Sequence, residues 1–383
     1  WGYYFEEPPD KMSPADWNWA DFNGATLLTI LARHRARLSE SLTNRLLKAV
    51  RHAALCVRRR NVSMSYTNIA VKGTFVTLAA AELLDDKELL GYAVERLHRF
   101  ARTVDETGSF AEYNSPTYAQ VSLTEFTRMR MFVKHAEARA LTDKLHRRLW
   151  EHLAHHWHAP TAQFAGPMSR CYDTDLGKPL WLQKALNGAV SFATLEEVRA
   201  GKAGAPAEVG IFDYECPADL RAAFVELKQP VQYRELFATA PAGVRPIQGT
   251  TWLTPHFTLG SANRSDFWVQ RRPLLAYFGS AQRPAQCLQL RVIKDDQKEP
   301  YDFTSALFYS TQQENCVLGA VNFCTPGGDK HPSLDPIKDG QFQAARLYLQ
   351  FLLKGWDATS KLLADGHTVE LKQPVIELPQ AKR

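Results

Sequence analysis

The chain has 383 residues, of which 45% are hydrophobic and 23% are charged, and its formal net charge is +5. This length exceeds the usual size of a single hydrophobic core and predicts two domains. The basic balance, with arginines concentrated in the first half, favours an anionic partner. Because zinc-finger spacing, an aromatic RNA-binding signature and a basic recognition helix are all missing, nucleic acid is not the expected partner.

Several other classes of function lack a sequence signal. The six cysteines show no CxxC spacing, and no apolar run approaches the roughly 18 residues needed to span a membrane. The sequence contains no Walker loop, no GxGxxG and no GxSxG motif. We therefore expect no cofactor, no membrane span and no serine-hydrolase chemistry.

The first half of the chain is predicted to be helical, because apolar residues recur there at helical spacing. Breaker pairs such as Asp85-Asp86 and Thr107-Gly108 separate neighbouring segments. Successive antiparallel hairpins of this kind build a toroid or an irregular bundle. The predicted helices cover about residues 24–58, 66–84, 87–105, 117–137, 139–157 and 179–200.

Beyond a linker rich in Gly, Ala and Pro at residues 200–206, short alternating or apolar runs predict strands. Their spacing suits an antiparallel β-sandwich. Residues 341–356 also fit helical spacing, but we predict a strand there because the neighbouring segments are strands. The predicted strands cover residues 209–214, 231–237, 249–253, 257–261, 274–278, 287–293, 306–310, 316–323, 341–356 and 369–371.

One polar loop interrupts the helices before the segment that begins near Pro116. Pro116 disfavours helix at the preceding residue, so the side chains around it are expected at a helix mouth. Amide and phenol groups suit a sugar ring, whose hydroxyls need donors and acceptors and whose faces stack on aromatic rings. The alternative is a simple turn in which Ser115 caps the next helix. The candidate residues of this loop are Glu112, Tyr113, Asn114 and Tyr118.

A second polar loop follows near Gly166-Pro167 and presents Arg170 and Tyr172. If the two loops face each other, they supply the groups for β-elimination from a uronic acid. Arg170 or Asn114 would neutralise the sugar carboxylate, and Tyr118 and Tyr172 would transfer protons. A salt bridge from Arg170 to Asp173 or Asp175 is an equally good interpretation.

The same loops allow a rival chemistry. Glu112 with Asp173 or Asp175 could form the carboxylate pair of a glycoside hydrolase, in which the separation of the two groups decides the stereochemical outcome. Sequence does not provide that separation.

Five histidines cluster on one predicted helix and its end: His146, His152, His155, His156 and His158. His152 and His156 have the spacing of a two-histidine metal face, but no HExxH or HxxEH pattern accompanies them. We therefore predict a partly exposed histidine-rich surface and no metal site. One of these residues, His256 or His331 could act as the catalytic base.

The second half offers side chains that could rim a glycan cleft against the helices. Tryptophans more often fill a sandwich core, and an Arg pair before proline is often a solvated strand end. The candidates are Trp252, His256, Trp268, Gln270 and Arg271.

Four segments together resemble the heparinase II/III-like polysaccharide lyases, including L-rhamnose-α-1,4-D-glucuronate lyases. They are EYNSPTY at 112–118, GPMSRCY at 166–172, LTPHFTLG at 253–260 and WVQRRP at 268–273, and the similarity covers about residues 60–345. The resemblance implies an (α/α) toroid followed by an antiparallel β-sandwich, with a cleft between them. Because the helical part is short, it implies an incomplete toroid over residues 1–200 and a sandwich over 201–383, which the end at Arg383 is expected to cut short.

The resemblance also implies a function and a set of catalytic residues. Asn114, Tyr118, Arg170 and Tyr172 match the family's Asn, Tyr and Arg in type, whereas Met168 stands where a histidine often occurs. The expected activity is cleavage of an acidic, uronate-containing polysaccharide by β-elimination. A glycoside hydrolase and an inactive glycan-binding protein are the alternatives. With a first residue other than methionine, the chain is expected to be processed and secreted or periplasmic.

Overall fold

The structure is a computed structural model. It describes residues 18–204, 206–240, 242–243, 245–281, 285–295, 302–323, 342–355, 361–364 and 366–369. The rest of the chain, including residues 1–17 and 370–383 at its two ends, lies outside the described residues.

Six long helices form the first part of the fold. They are α1 Trp19–His34, α2 Glu40–Arg60, α3 Thr67–Leu84, α4 Lys87–Thr107, α5 Pro116–Phe132 and α6 Ala136–His156. Nearly every residue of α3 from Thr67 to Ala81 is buried, so α3 lies in the middle and packs against α1, α2, α4 and α5. A helix that is apolar all round belongs in a core, and α3 has only one charged residue before its last turns.

Four short helices continue the helical part: α7 Leu180–Ala185, α8 Leu195–Arg199, α9 Ala207–Ile211 and α10 Arg221–Val225. A small hairpin of β1 Trp157–His158 and β2 Gln163–Phe164 precedes them. The helical part therefore extends to Val225, past the predicted boundary at residue 200.

Three predicted elements differ from the structure. The helix predicted over 24–58 is two helices, because the Ser39 hydroxyl caps α2 by accepting the amide of Leu42. The helix predicted over 179–200 is also two helices, because Asn187 and Gly188 have positive φ angles of 52° and 75° after α7. The strand predicted over 209–214 is wrong, since a helical turn follows Pro206.

Antiparallel sheets make up the rest of the described chain. Their strands are β3 Val231–Ala238, β4 Ile247–Leu253, β5 Phe257–Ala262, β6 Arg264–Asp266, β7 Leu274–Phe278, β8 Gln286–Lys294, β9 Leu307–Gln313, β10 Cys316–Asn322, β11 Leu347–Lys354, β12 Leu362–Ala364 and β13 His367–Val369. One sheet has the order β11-β8-β7-β5-β4-β3, a second has β10-β9-β6, and β12 pairs with β13.

Most strand predictions agree with these bounds to within three residues at each end. The strand predicted over 341–356 is β11, which is shorter than predicted, while residues 341 and 356 lie outside the described part. Of the strand predicted over 369–371, only Val369 is described, as the last residue of β13.

Among the described residues, two of three apolar clusters join the main elements of the fold, and the third packs Leu180 against Ala193 and Ala203. The larger one joins the helices to the six-stranded sheet through Leu275, Tyr277 and Cys287. The smaller one, with Phe267, Leu290 and Phe308 among its members, lies between the two larger sheets. The structure is thus a helical part followed by antiparallel sheets that share a core with it. Within the described residues, every helix is too short or too polar to cross a membrane.

Candidate functional site

The candidate site lies where the loop before α5 meets the loop after β2. The backbone amide and hydroxyl of Ser169 both donate to the Tyr113 carbonyl, at 3.2 and 2.6 Å. The Ser115 hydroxyl donates to the Arg170 carbonyl at 2.7 Å. The two polar loops singled out in the sequence are therefore bonded to each other.

Arg170 is the centre of this site. Its Nη1 donates to Glu112 Oε1 at 2.8 Å, its Nη2 to the Tyr118 hydroxyl at 3.1 Å, and its Nε to Gln270 Oε1 at 2.5 Å. The guanidinium lies 4.5 Å from the ring centre of Tyr118 and 4.9 Å from that of Trp268. Two of its five N–H groups have no acceptor among the described residues, so a ligand could take them.

Glu112 is a buried carboxylate surrounded by donors. Its Oε2 accepts the backbone amide of Asn68 at 2.7 Å, and the Asn68 side-chain amide donates to both carboxylate oxygens at 2.7 and 3.0 Å. Burial raises the pKa of Glu112, while the bonds from Asn68 and the charge of Arg170 oppose that rise. A proton on either oxygen would face another donor, so these contacts require the ionised form.

The phenols of Tyr118 and Tyr172 are hydrogen-bonded at 2.7 Å. Tyr118 lies in the first turn of α5, where the Ser115 hydroxyl accepts its backbone amide at 3.0 Å. Burial and the bond to Tyr172 raise the pKa of Tyr118. Tyr172 is 58% exposed, so the pair connects the partly buried Arg170 with solvent.

Arg271 supports the site from the sheet side. Its Nε donates to Asp266 Oδ1 at 2.8 Å, and its Nη1 donates to the Ser169 carbonyl at 3.1 Å. It lies 5.8 Å from the ring centre of Trp268. Arg271, which is anchored to Asp266 of β6, therefore holds the second loop in place.

Two residues predicted for the site are used inside the fold instead. The side-chain amide of Asn114 donates to the backbone carbonyls of Ala165 and, at 2.7 Å, Pro167. The ring of Tyr113 is buried and stacks on Phe237, with ring centres 3.9 Å apart. Asn114 ties the two loops together, and Tyr113 packs the loop onto β3.

Two other predicted residues lie away from Arg170. Trp252 is paired with Leu259, on the face of the sheet that packs toward the smaller apolar cluster. His256 is exposed in the turn between β4 and β5, whereas Ala262, at the other end of β5, bonds to Pro273 beside the site. At about 3.3 Å per residue, His256 and Ala262 are roughly 20 Å apart.

The carboxylates proposed for a hydrolase serve as turn caps. Asp175 accepts the amides of Gly177 at 2.9 Å and Ala285 at 3.1 Å. Asp173 accepts the amide of Asp175 at 2.9 Å. Met168, at the position where the lyases that this sequence resembles often have histidine, is buried in the apolar cluster.

The prediction of an exposed histidine-rich surface is wrong. Of the five histidines, only His155 is partly exposed. His146, His152, His156 and His158 are buried, because Phe224 of α10 packs on Trp150, and Glu235 and Thr251 of the sheet contact His156. Burial lowers the pKa of His146 to about 3 and that of His158 to about 4.

Among the described residues, one group of three could present metal ligands. The ligand atoms of His152, His156 and Glu235 lie within 4.8 Å of one another. The spacing of the two histidines was visible in the sequence, but nothing marked Glu235, which comes from β3. The hydrogen bonds of this group decide what it does.

One cavity lies away from the Arg170 site. Its volume is about 720 Å³, and its lining includes Ala79, Glu82 and Phe132 at the far ends of α3 and α5. Glu82 there accepts the amides of Lys134 and His135. Asp86, also in the lining, caps α4 by accepting the amide of Leu89. The bonded carboxylates of this cavity therefore serve helix ends, and the chemistry-bearing groups gather at the Arg170 end instead.

Comparison with known proteins adds one finding. A family described as a domain of unknown function, DUF8769, matches residues 7–190, slightly less than half of the chain. The match covers both site loops but ends before Trp268 and Gln270. Neither a curated protein nor a solved structure matches the chain significantly. The resemblance to heparinase II/III-like lyases stays a prediction.

Proposed function

We propose that this protein cleaves an acidic, uronate-containing polysaccharide by β-elimination. The observation that carries the proposal is Arg170, held between two aromatic rings with two free N–H groups beside the bonded phenols of Tyr118 and Tyr172. A site of this kind combines a carboxylate binder with proton-transfer groups within reach of one sugar.

Arg170 would bind the carboxylate of the uronate. Hydrogen bonds from a guanidinium to a carboxylate are charge-assisted and fix its orientation. They also stabilise the negative charge that develops when the proton on C5 leaves. Trp268 and Tyr118 hold the planar guanidinium in place, and Glu112 and Gln270 fix its rotation.

The two phenols would carry the protons. Tyr172, as phenolate, would take the proton from C5 while the C4–O bond breaks and a C4–C5 double bond forms. Tyr118, whose raised pKa keeps its proton, would protonate the leaving oxygen. Transfer of the proton from Tyr172 to Tyr118 along their 2.7 Å hydrogen bond would then restore the starting state.

The architecture supports the same proposal. Consecutive long helices that pack as neighbours around α3 fit an incomplete (α/α) toroid, and two facing antiparallel sheets fit a β-sandwich. We propose this toroid-and-sandwich arrangement as the finer description of the fold. The site then lies at the junction of the two parts.

The hydrolase alternative is less well supported by the contacts. A general acid must carry a proton, yet Glu112 faces only donors. Asp173 and Asp175 are occupied with backbone amides. No described contact favours this second function.

A panel of acidic glycans assayed in two ways tests the proposal. Elimination creates an unsaturated uronate that absorbs in the ultraviolet, whereas hydrolysis creates only new reducing ends. Tyr172→Phe and Tyr118→Phe should lower turnover by about 100-fold or more, because each removes a proton-transfer group. Tyr309→Phe, at an exposed tyrosine of β9, is the matched control and should leave turnover unchanged.

Each of the other results changes the conclusion. Reducing ends without ultraviolet absorbance would establish a hydrolase. Binding without cleavage would establish a glycan-binding protein. Full turnover by both phenylalanine variants would remove the phenols from the mechanism.

A further inference from the structure

A buried hydrogen-bond chain begins at the backbone of the first site loop. The amide of Asn114 donates to His152 Nε2 at 2.8 Å. Because a backbone amide can only donate, Nε2 must offer its lone pair and the ring proton must be on Nδ1. That nitrogen faces Glu235 Oε2 and the Ser109 hydroxyl, each at 3.4 Å.

The chain continues from Glu235 to the second site loop. His156 Nε2 lies 2.6 Å from Glu235 Oε2, and His156 Nδ1 lies 3.1 Å from the Thr251 hydroxyl. Thr251 uses its single proton to bond the Gly166 carbonyl at 2.8 Å. His156 must therefore donate to Thr251, and a second proton lies between His156 and Glu235.

The charge on Glu235 holds this arrangement together. Burial raises the pKa of Glu235, but the adjacent imidazoles of His152 and His156 outweigh burial and lower it overall. Glu235 also accepts from His155, whose Nδ1 is 3.1 Å away. An ionised Glu235 selects the Nδ1–H tautomer of His152, which leaves Nε2 free to accept from Asn114.

The hydrogen bonds of His152, His156 and Glu235 argue against a metal ion bound by these residues in their present arrangement. Two histidines and a glutamate are a common zinc set. A metal on Nδ1 of His152 would force the ring proton onto Nε2, where it would face the Asn114 amide. The existing bond would be lost and a buried amide left without an acceptor.

We propose that His152 and Glu235 are positioning residues that hold both site loops from behind. One end of the chain fixes Asn114, two residues after Glu112. The other end fixes Gly166, four residues before Arg170. The spacing between Glu112 and Arg170 therefore depends on β3 and β4, although neither strand contributes a side chain to the Arg170 contacts. A role of these residues in catalysis rests on the proposed function, but their role in holding the two loops does not.

Amide hydrogen exchange on the full chain tests this proposal without any substrate. A Gln side chain places its amide near the position of Nε2, whereas Asn reaches only the position of Nδ1. His152→Gln can therefore still accept from Asn114, and His152→Asn cannot. We expect His152→Asn to speed exchange about tenfold or more in peptides covering 109–118 and 163–172, with α3 unchanged. His152→Gln should restore most of the protection.

A second variant separates the two ends of the chain. Thr251→Val keeps the side-chain shape and removes the bond to Gly166, so exchange should rise in 163–172 and not in 109–118. This variant also answers the question if His152→Asn does not fold. Wild-type exchange in Thr251→Val, or equal exchange in the Asn and Gln variants, would overturn the proposal.

The outcomes are distinguishable from failure of the proposed function. Loosened loops in a protein without lyase activity would keep the positioning role and reject the lyase. An active lyase whose loops are unchanged in these variants would keep the lyase proposal and reject the positioning role. In an active lyase, His152→Asn should also lower kcat, and His152→Gln should recover it.

Discussion

Glu112 shows how a carboxylate can be recognised as an orienting group and not as a catalytic acid. Both oxygens accept from donors, and the partners are the Asn68 amides and Arg170. A carboxamide at this position would turn its NH₂ toward another donor. The contacts thus fix both the ionisation of Glu112 and the direction of Arg170.

Glu112→Gln is expected to lower the free energy of unfolding by about 1–3 kcal/mol, because a buried donor would lose its acceptor. Urea unfolding at pH 7 measures this. Glu106→Gln, at an exposed position near the end of α4, is the control and should change little. Unchanged stability in Glu112→Gln would mean that the Asn68 bonds are not formed in solution.

Asp21 of α1 is a buried carboxylate whose charge is costly. Burial raises its pKa to about 7, although Arg60, Arg96 and Lys72 lower it. Its ion-pair contact to Arg60 is 3.7 Å long. The folded protein therefore keeps a proton on Asp21 that the unfolded chain releases near its ordinary value of 3.8.

Asp21→Asn should gain stability relative to the wild type as the pH rises. The stabilising contribution of the protonated carboxyl is complete below pH 3.8 and is lost as the pH rises through about 7. The loss amounts to about 4 kcal/mol when complete, since one pKa unit corresponds to roughly 1.4 kcal/mol. Urea unfolding of both proteins at pH 5 and pH 8 measures the difference, with Asp105→Asn at an exposed site as control. A difference that does not change with pH would contradict the raised pKa.

Strand β5 passes very close to the backbone of the second site loop. A Cβ atom added to Gly260 would lie 1.8 Å from the Gly166 carbonyl oxygen and 2.1 Å from its carbon. These are backbone atoms, which cannot move aside as the end of a flexible side chain can. Only glycine at this point of β5 allows the loop that carries Arg170 to pack on the sheet.

Gly260→Ala is expected to destabilise the protein by about 3 kcal/mol, at the upper end of the usual overpacking cost. It should also weaken acidic-glycan binding, because Arg170 would shift with its loop. Gly91→Ala is the matched control: it meets nothing within 4 Å inside α4 and should be neutral or slightly stabilising. Thermal melts and a binding titration measure both effects. Equal melting temperatures for the two variants would show that the loop does not rest on Gly260.

The elements themselves were largely predictable from sequence. Periodicity found the long helices and most strands, because most of them bury one face along their length. Their ends were harder to predict, since they depend on single caps and turns such as Ser39 and the Asn187-Gly188 pair. Apolar residues continue on both sides of these breaks, so periodicity did not reveal them.

At the scale of the whole molecule, the sequence predicted the two loops of the site but not the roles of all their residues. Polar composition beside prolines marked Tyr118, Arg170 and Tyr172, which lie together. It equally marked Asn114, whose amide bonds backbone carbonyls, because sequence does not reveal which side chains face inward. Glu235 could not be found, since its importance arises only when β3 packs against α6.

The apolar cluster that joins the helices to β7 and β8 limits how this chain can change during evolution. Leu275 and Tyr277 of the sheet belong to the same cluster as Trp157 and Phe164 of the preceding part. A recombination event that exchanged the sheets for unrelated ones would expose these side chains and remove Trp268 and Gln270 from Arg170. The helical and sheet parts are therefore expected to be inherited together, as a single unit of descent.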